Sequence, residues 1–233
     1  MWWFQQGLCW LPAALVVWTA ASFGLAYITA VVLNHVDPLL PYIRCPLSLI
    51  YCALNDTCAL SSLHACMATV YVRYKQVGAL TAEGSPNLSR LNRVGLVLGL
   101  ISSLGMCVVA NFQKTTLFSV HLVGAVLTFG VGALYILVQT LLSLRMQPHF
   151  HSKTVYLVRL GIGVWTLCSI ISMFVSSVIM YSTLAGVDVT HKLHWTPGEK
   201  GYTAHIISTV SEWSLAFSFF SFFLTYIRDF QVV

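Results

Sequence analysis

The sequence predicts an all-α integral membrane protein, a single bundle of six transmembrane helices with both termini in the cytosol. Of the 233 residues, 58% are hydrophobic and 8% are charged, and the mean hydropathy is +0.80. A soluble domain carries about 25% charged residues, so this composition excludes a fold surrounded by water. It also excludes a disordered chain, which has low hydrophobicity. Six long apolar stretches in the sequence add to this evidence from composition and hydropathy.

Each stretch is long enough to cross a bilayer, which takes about 17 to 25 residues at about 1.5 Å of helix rise per residue. The first has no charged residue before Asp37 and lacks the basic leader of a signal peptide. The third is near the short limit, and the fourth is long enough to tilt. The predicted spans are Leu8–Leu33, Leu47–Val72, Val94–Ala110, Leu117–Leu144, Val155–Tyr181 and Ala204–Ile227.

The basic residues between the spans predict the orientation, because Lys and Arg are retained on the cytosolic side. One side of the membrane receives twice as many as the other. Its basic residues are Arg73, Lys75, Arg90, Arg93, Arg145, Lys153, Arg159 and Arg228. The other side receives Arg44, Lys114, Lys192 and Lys200. Both termini and the two even-numbered loops are therefore expected in the cytosol.

The segment Gly78–Leu91 contains Gly84, Ser85 and Pro86 and is expected to be a flexible surface loop. Asn87-Leu88-Ser89 within it matches the glycosylation acceptor pattern. On the cytosolic side this asparagine would stay unmodified, so a sugar at Asn87 would contradict the orientation.

Small residues recur every third or fourth position in the later spans, the spacing with which membrane helices pack closely. One compact bundle is the expected result, and self-association into a homo-oligomer is the alternative. The candidate packing residues are Gly95, Gly99 and Ser103 in the third span and Gly124, Thr128 and Gly132 in the fourth. Similar lines of serine are Ser169, Ser172 and Ser176 in the fifth span, and Ser211, Ser214, Ser218 and Ser221 in the sixth.

Ionisable side chains inside a bilayer are costly and mark candidate functional sites. Glu212 lies about eight residues into the last span, with His205 and Ser208 on nearly the same helix face. His121 lies at similar depth in the fourth span. These four residues form a candidate intramembrane polar cluster. It is either a hydrogen-bonded contact that sets the helix register or a proton-linked or ligand-binding site.

Other kinds of site are weakly indicated. His191 and His194, with Asp188 and Glu199 nearby in the fifth loop, provide enough donors for zinc. Two histidines in an irregular loop are weak evidence, however, and Trp195-Thr196-Pro197 is more typical of a structured turn at the interface. On a lumenal face they would also gain charge below about pH 6.5, which makes acid sensing a hypothesis. We expect no metal, no cofactor and no nucleic-acid partner, because the basic residues form no dense run. No catalytic motif is present, so an enzyme is not expected.

Six blocks of the chain match one known family; they cover residues 1–8, 69–77, 91–100, 108–135, 192–202 and 211–231. In these blocks the chain resembles the DRAM (damage-regulated autophagy modulator) family of the Frag1/DRAM/Sfk1 group of multi-pass membrane proteins. Asn111-Phe112-Gln113 and Glu212-Trp213 are the most specific parts. Arg44–Ala65 departs from the family pattern, and the chain stops at Val233 where relatives have a cytosolic tail, so any sorting signal there would be missing.

The resemblance implies a six-span protein of lysosomal or endolysosomal membranes that promotes autophagy, with links to cell death. The plasma (apical) membrane is the alternative location. We expect a non-enzymatic protein that acts through contacts with membrane lipid or with protein partners of the autophagy pathway. One alternative function is lipid sensing or lipid redistribution, and another is a proton-coupled carrier that uses Glu212.

Overall fold

The structure is a computed structural model that describes residues 8–32, 49–81, 86–112, 117–147, 152–184 and 195–231, and only the backbone of residues 26, 30 and 49–59. Throughout these ranges the regular secondary structure is helical. In chain order the elements are α1 (Trp10–Val32), α2 (Leu49–Leu80), α3 (Pro86–Asn111), α4 (Phe118–Ala125), a π-helix (Val126–Val131), α5 (Gly132–Arg145), α6 (Lys153–Thr183), α7 (Tyr202–Leu224) and α8 (Tyr226–Phe230).

The architecture confirms the predicted all-α, multi-pass membrane fold. Five helical segments are long and apolar enough to cross a membrane, and they correspond to the first, third, fourth, fifth and sixth predicted spans. The second predicted span forms α2, which has 32 residues but is not among these five. The side chains of α2 are described from Leu60 onward, which leaves half of the predicted span Leu47–Val72 without described side chains. The predicted cytosolic location of the termini stays a prediction.

The helices pack in a ring in which each contacts its neighbours in the chain. α2 packs on α1 and α3, and α3 packs on the continuous α4–π–α5 rod. α6 packs between α5 and α7, and α7 also contacts α1, which closes the ring. Aromatic side chains pair between α1 and α7. The ring centres of Phe23 and Phe220 are 5.8 Å apart, and those of Tyr27 and Trp213 are 6.4 Å apart.

Successive spans run antiparallel, as the contacts of α2 with α3 and of α6 with α7 demonstrate. Along the α6–α7 seam, Ser177 pairs with Ser208 and Ser172 with Ser211, so position numbers rise in one helix as they fall in the other. The same reversal relates α2 and α3, where Cys66 meets Ser103 and the Tyr74 carbonyl meets Asn92. The end of α2, the start of α3, the end of α5, the start of α6 and α8 therefore share one end of the bundle.

The loop expected over Gly78–Leu91 is largely helical, so that expectation was wrong. α2 continues to Leu80 and α3 begins at Pro86. A proline at the first helical position has its φ angle preset for the helix and needs no backbone donor there. The third span is therefore the end of a 26-residue helix rather than a short one.

The fourth span contains a π-helix between α4 and α5, which hydropathy does not reveal. Wider turns of this kind disturb the regular backbone hydrogen bonds. Two hydroxyl groups bond to carbonyl groups here: Ser102 Oγ donates to the Thr128 carbonyl at 2.9 Å, and Thr128 Oγ1 donates to the Gly124 carbonyl at 2.8 Å. Gly124 and Gly132 flank this segment and allow α3 to approach it.

The core lies toward the end of the bundle that α8 closes. Thr225 separates α7 from α8, and the short helix returns aromatic side chains to the interior. Tyr226 and Phe230 are fully buried there with Phe222, Ile136 and Val70. The packing of α8 in this core positions the charged groups described next.

Candidate functional site

Two buried arginines and one aspartate meet at the α8 end of the bundle. Arg73 comes from α2, Arg159 from α6 and Asp229 from α8. Arg73 Nη1 lies 2.9 Å from Asp229 Oδ2, and Arg159 Nη2 donates to the same carboxylate oxygen. Both arginine side chains are 0% exposed and the aspartate side chain is 6% exposed. We call these three residues the arginine–aspartate site.

Neutral oxygen atoms accept further hydrogen bonds from Arg73. Its Nη1 donates to Gln76 Oε1 at 2.8 Å, and its Nε donates to Gln139 Oε1 at 3.3 Å. The Gln76 amide nitrogen in turn donates to the backbone carbonyl of Asp229. Gln139 belongs to α5, so the bonds of Arg73 join α2, α5 and α8.

The second arginine is held in the same manner by α5 and by the junction between α7 and α8. Arg159 Nη1 donates to Ser143 Oγ at 2.6 Å, and Nε donates to Thr225 Oγ1 at 3.0 Å. Nη2 also donates to the Thr225 carbonyl at 3.4 Å. This set of bonds fixes the direction in which the chain leaves α7, because Thr225 is the residue between the two helices.

An aromatic ring supports both guanidinium groups. The Cζ atoms of Arg73 and Arg159 lie 5.2 and 5.0 Å from the centre of the Tyr226 ring. Cations within about 6 Å of a ring centre are attracted by its quadrupole, more strongly when water is excluded. The Tyr226 hydroxyl hydrogen-bonds to the Tyr135 hydroxyl at 2.8 Å, which holds the ring in place.

The site carries two positive groups and one negative group in a region without water access. Buried ion pairs lose much of their attraction to desolvation, but a buried charge whose partner is removed is strongly destabilising. The carboxylate of Asp229 is therefore the group on which the arrangement of α2, α6 and α8 depends most. The geometry is that of a lock between helix ends, with hydrogen-bond donors matched to acceptors.

Sequence reasoning missed this site, although it noticed all three segments. In the sequence, Arg73 and Arg159 indicate only the orientation, and Asp229 belongs to one of the matching family blocks. The available signal was the position of Arg159, which lies inside the predicted fifth span. An arginine at that depth requires a partner, and Asp229 is an acidic residue close to the end of the sixth span.

The residues of the predicted polar cluster contact different parts of the bundle. His205 is 6% exposed and stacks on Trp195, with ring centres 4.3 Å apart and planes 5° apart. Ser208 Oγ pairs with Ser177 Oγ of α6 at 2.9 Å. His121 Nδ1 is 2.8 Å from the Phe112 carbonyl, beyond the end of α3. Glu212 is half-buried in α7, and a shared function of the four residues stays a prediction.

The predicted packing residues face neighbouring helices. A Cβ on Gly95 would lie 2.9 Å from Gln139 Nε2, and a Cβ on Gly99 would lie 2.5 Å from Val70 Cγ1. Ser103 Oγ donates to the Gly99 carbonyl and to Cys66 Sγ. Gly124 lies against Val108 and Gly132 against Phe219. Gly105, which sequence reasoning did not single out, is equally close to Leu127 and Thr128.

Most members of the predicted serine lines meet in one seam, but Ser176 donates to carbonyls of its own helix and Ser177 makes the contact to α7 instead. Side-chain hydrogen bonds of 2.7 to 3.0 Å connect α6 to α7 along the length of both helices. Trp165 Nε1 also donates to Ser214 Oγ at 2.8 Å. The pairs are Ser177–Ser208, Ser172–Ser211, Ser169–Ser214 and Thr166–Ser218.

The zinc site and the acid sensing considered for His191 and His194 concern residues outside the described part of the structure, which omits 185–194. Within the ranges that the structure describes, no three His, Cys, Asp or Glu side chains come together as metal ligands would.

Comparison with known proteins adds an independent observation. Residues 7–233 match the model of the Frag1/DRAM/Sfk1/Cwh43P N-terminal domain. The chain is 54% identical over 238 residues to DNA damage-regulated autophagy modulator protein 2 of Bos taurus, covering 100% of this chain and 88% of that protein. It is 36% identical over 235 residues to DNA damage-regulated autophagy modulator protein 1 of Homo sapiens, covering 99% and 94%.

A more distant similarity is to the modulator of macroautophagy TMEM150B of Danio rerio, at 28% identity over 228 residues, 95% of this chain and 84% of that protein. No solved structure matches the chain.

Proposed function

Because the chain belongs to the Frag1/DRAM/Sfk1 family of membrane proteins, we propose that it promotes autophagy from the lysosomal or endolysosomal membrane. The observation that carries the proposal is full-length similarity to proteins named as autophagy modulators. The matched region covers 100% of this chain in the first of these relatives and 99% in the second, so the whole bundle is the unit to which the function applies.

The proposed mechanism is contact rather than catalysis. The arginine–aspartate site holds the ends of α2, α5, α6 and α8 in one arrangement, which supports a bundle that presents a defined surface to lipids or to protein partners. A reacting group needs access to a substrate, whereas the charged groups of this site are buried and bonded to one another.

The test is complementation in cells that lack the endogenous protein. Expression of the full chain is expected to restore autophagic flux, measured as turnover of a lipidated autophagosome marker with and without a lysosomal protease inhibitor. Imaging in the same cells is expected to place the chain with a lysosomal membrane marker. Cells that receive the empty vector are the negative control, and Lys200→Gln, which changes an exposed residue at the opposite end of the bundle, is the control for expression. Correct location without any change in flux would overturn the proposed function.

Purified protein in liposomes tests the contact mechanism against its two alternatives. We expect no redistribution of labelled lipid between leaflets and no proton flux. Lipid redistribution would favour a lipid-handling protein. A proton flux that Glu212→Gln abolishes would favour a carrier, and either result would replace contact as the mechanism.

A further inference from the structure

We propose that the bundle end containing the arginine–aspartate site has an exposed basic surface that binds anionic phospholipid headgroups of the adjacent leaflet. We call this surface the basic rim. It consists of six exposed side chains: Lys75, Arg90, Arg93, Arg145, Lys153 and Arg228. The inference goes beyond the proposed function and does not depend on which organelle contains the protein.

The rim residues share one end because of the helix directions. Lys75 lies near the end of α2, Arg90 and Arg93 lie in the first turns of α3, and Arg145 ends α5. Contacts across the interior confirm this grouping: Asp229 of α8 bonds to both α2 and α6, and Ser143 near the end of α5 bonds to Arg159 near the start of α6.

The charge of the rim is not neutralised by the described residues at this end. The acidic side chain among them is Asp229, which is buried and bonded to Arg73 and Arg159. Since that site contains two arginines, it adds positive charge to this end rather than removing it. Glu83, in the connection between α2 and α3, is the other acidic residue that the sequence places here.

The depth of the rim matches lipid headgroups. Three of its residues adjoin large apolar side chains that are exposed around the bundle: Arg93 precedes Val94, Arg145 follows Leu144, and Lys153 lies one turn before Leu157. Side chains such as Val94 and Leu144 face the hydrocarbon. The adjacent long basic side chains extend outward to the polar layer, as Lys and Arg do near helix ends.

The opposite end lacks this charge in its described part. Lys200 is its exposed basic residue, and Glu199 beside it is exposed as well. Attraction to anionic lipid is worth about a fivefold preference for each basic side chain that contacts a headgroup. A preference for anionic lipid is therefore expected from the rim.

The experiment uses the full chain reconstituted in phosphatidylcholine bilayers with trace spin-labelled lipids. Electron spin resonance measures the fraction of each label immobilised at the protein surface. Spin-labelled phosphatidylserine is expected to associate about fivefold or more in excess over spin-labelled phosphatidylcholine. This preference should decline as salt is added, because ions screen exposed charges.

A fourfold variant tests the residues: Arg90→Gln, Arg93→Gln, Arg145→Gln and Lys153→Gln together. All four are exposed, and the melting temperature of the variant checks that its fold is kept. The preference should fall several-fold in this variant, because only Lys75 and Arg228 of the rim remain. It should stay unchanged in the control Lys200→Gln. A wild type without preference, or a folded variant that keeps it, would overturn the proposal. A wild type without preference is the result expected if the rim binds an acidic protein segment instead of lipid.

Discussion

At the scale of single residues, Asp229 has the greatest effect on the architecture. One carboxylate oxygen accepts bonds from both Arg73 and Arg159, which come from helices far apart in the chain. Gln139 and Ser143 accept hydrogen bonds from other N–H groups of the two arginines, but they are neutral and supply no negative charge. The balance of the site therefore depends on this residue more than on either arginine.

Replacing Asp229 by Asn should be strongly destabilising. The amide has nearly the same shape but leaves two buried cations without a counter-charge, which costs about 3–5 kcal/mol. Thermal unfolding of the detergent-purified protein, followed by tryptophan fluorescence, measures the loss. The control Arg228→Gln changes an exposed neighbour and should shift stability by less than about 0.5 kcal/mol. Equal melting temperatures for the two variants would contradict the lock.

Removing one arginine should cost less than removing the carboxylate. In Arg159→Met, the neutral pair Arg73–Asp229 remains and the long apolar side chain fills much of the vacated space. Replacing buried charged side chains by apolar ones of similar volume often costs the protein little stability, provided that no unpaired charge is left behind. The same unfolding assay should rank Arg159→Met between wild type and Asp229→Asn. If Arg159→Met is the less stable variant, the surplus positive charge is not what limits the site.

At the scale of elements, close approach determines which helices pair. The glycines of α3 face α2, the π-helix and α5, Gly124 of α4 faces α3, and hydroxyl pairs connect α6 to α7. Sequence spacing predicted the stripes because residues three and four apart share a helix face. It did not predict the π-helix, since the hydropathy of Val126–Val131 is the same in either kind of helix.

Adding a methyl group at Gly105 should disturb the α3–π-helix contact. A Cβ there would lie 2.6 Å from both Leu127 Cβ and the Thr128 backbone nitrogen, so the backbone must move. The expected cost of Gly105→Ala is about 1–3 kcal/mol. Gly161→Ala in α6 is the matched control, because nothing lies within 4 Å of its Cβ and alanine favours helix by up to about 1 kcal/mol. A melting temperature that falls equally in both would argue against close packing at Gly105.

At the scale of the whole molecule, the predicted membrane orientation determines which acceptor asparagines can carry sugar. The predicted cytosolic side is the end that holds the basic rim, and Asn87 lies exposed there in the first turn of α3. Enzymes that attach sugars act in the lumen. The orientation therefore predicts that an intact acceptor sequence at Asn87 receives no sugar in cells.

Gel mobility before and after endoglycosidase treatment tests this prediction. Wild type should show no shift. The variant Asp188→Asn places an asparagine two residues before Thr190, in the connection predicted to be lumenal, and should shift. Asn55-Asp56-Thr57 is a second acceptor pattern in the chain, so a shift in wild type that Asn87→Gln abolishes would reverse the orientation.

Composition and hydropathy by themselves determined that this chain forms a helical membrane bundle and where most of its spans lie, because a bilayer imposes a length and an apolar surface on every helix. The same local rules predicted a loop where Pro86 begins a helix. Only the tertiary structure decided that Arg73, Arg159 and Asp229 form one site, because their meeting depends on how the ring of helices closes. The attraction between buried charges depends on their separation in space. Arg73, Arg159 and Asp229 are far apart in the chain, so no local sequence pattern encodes that separation.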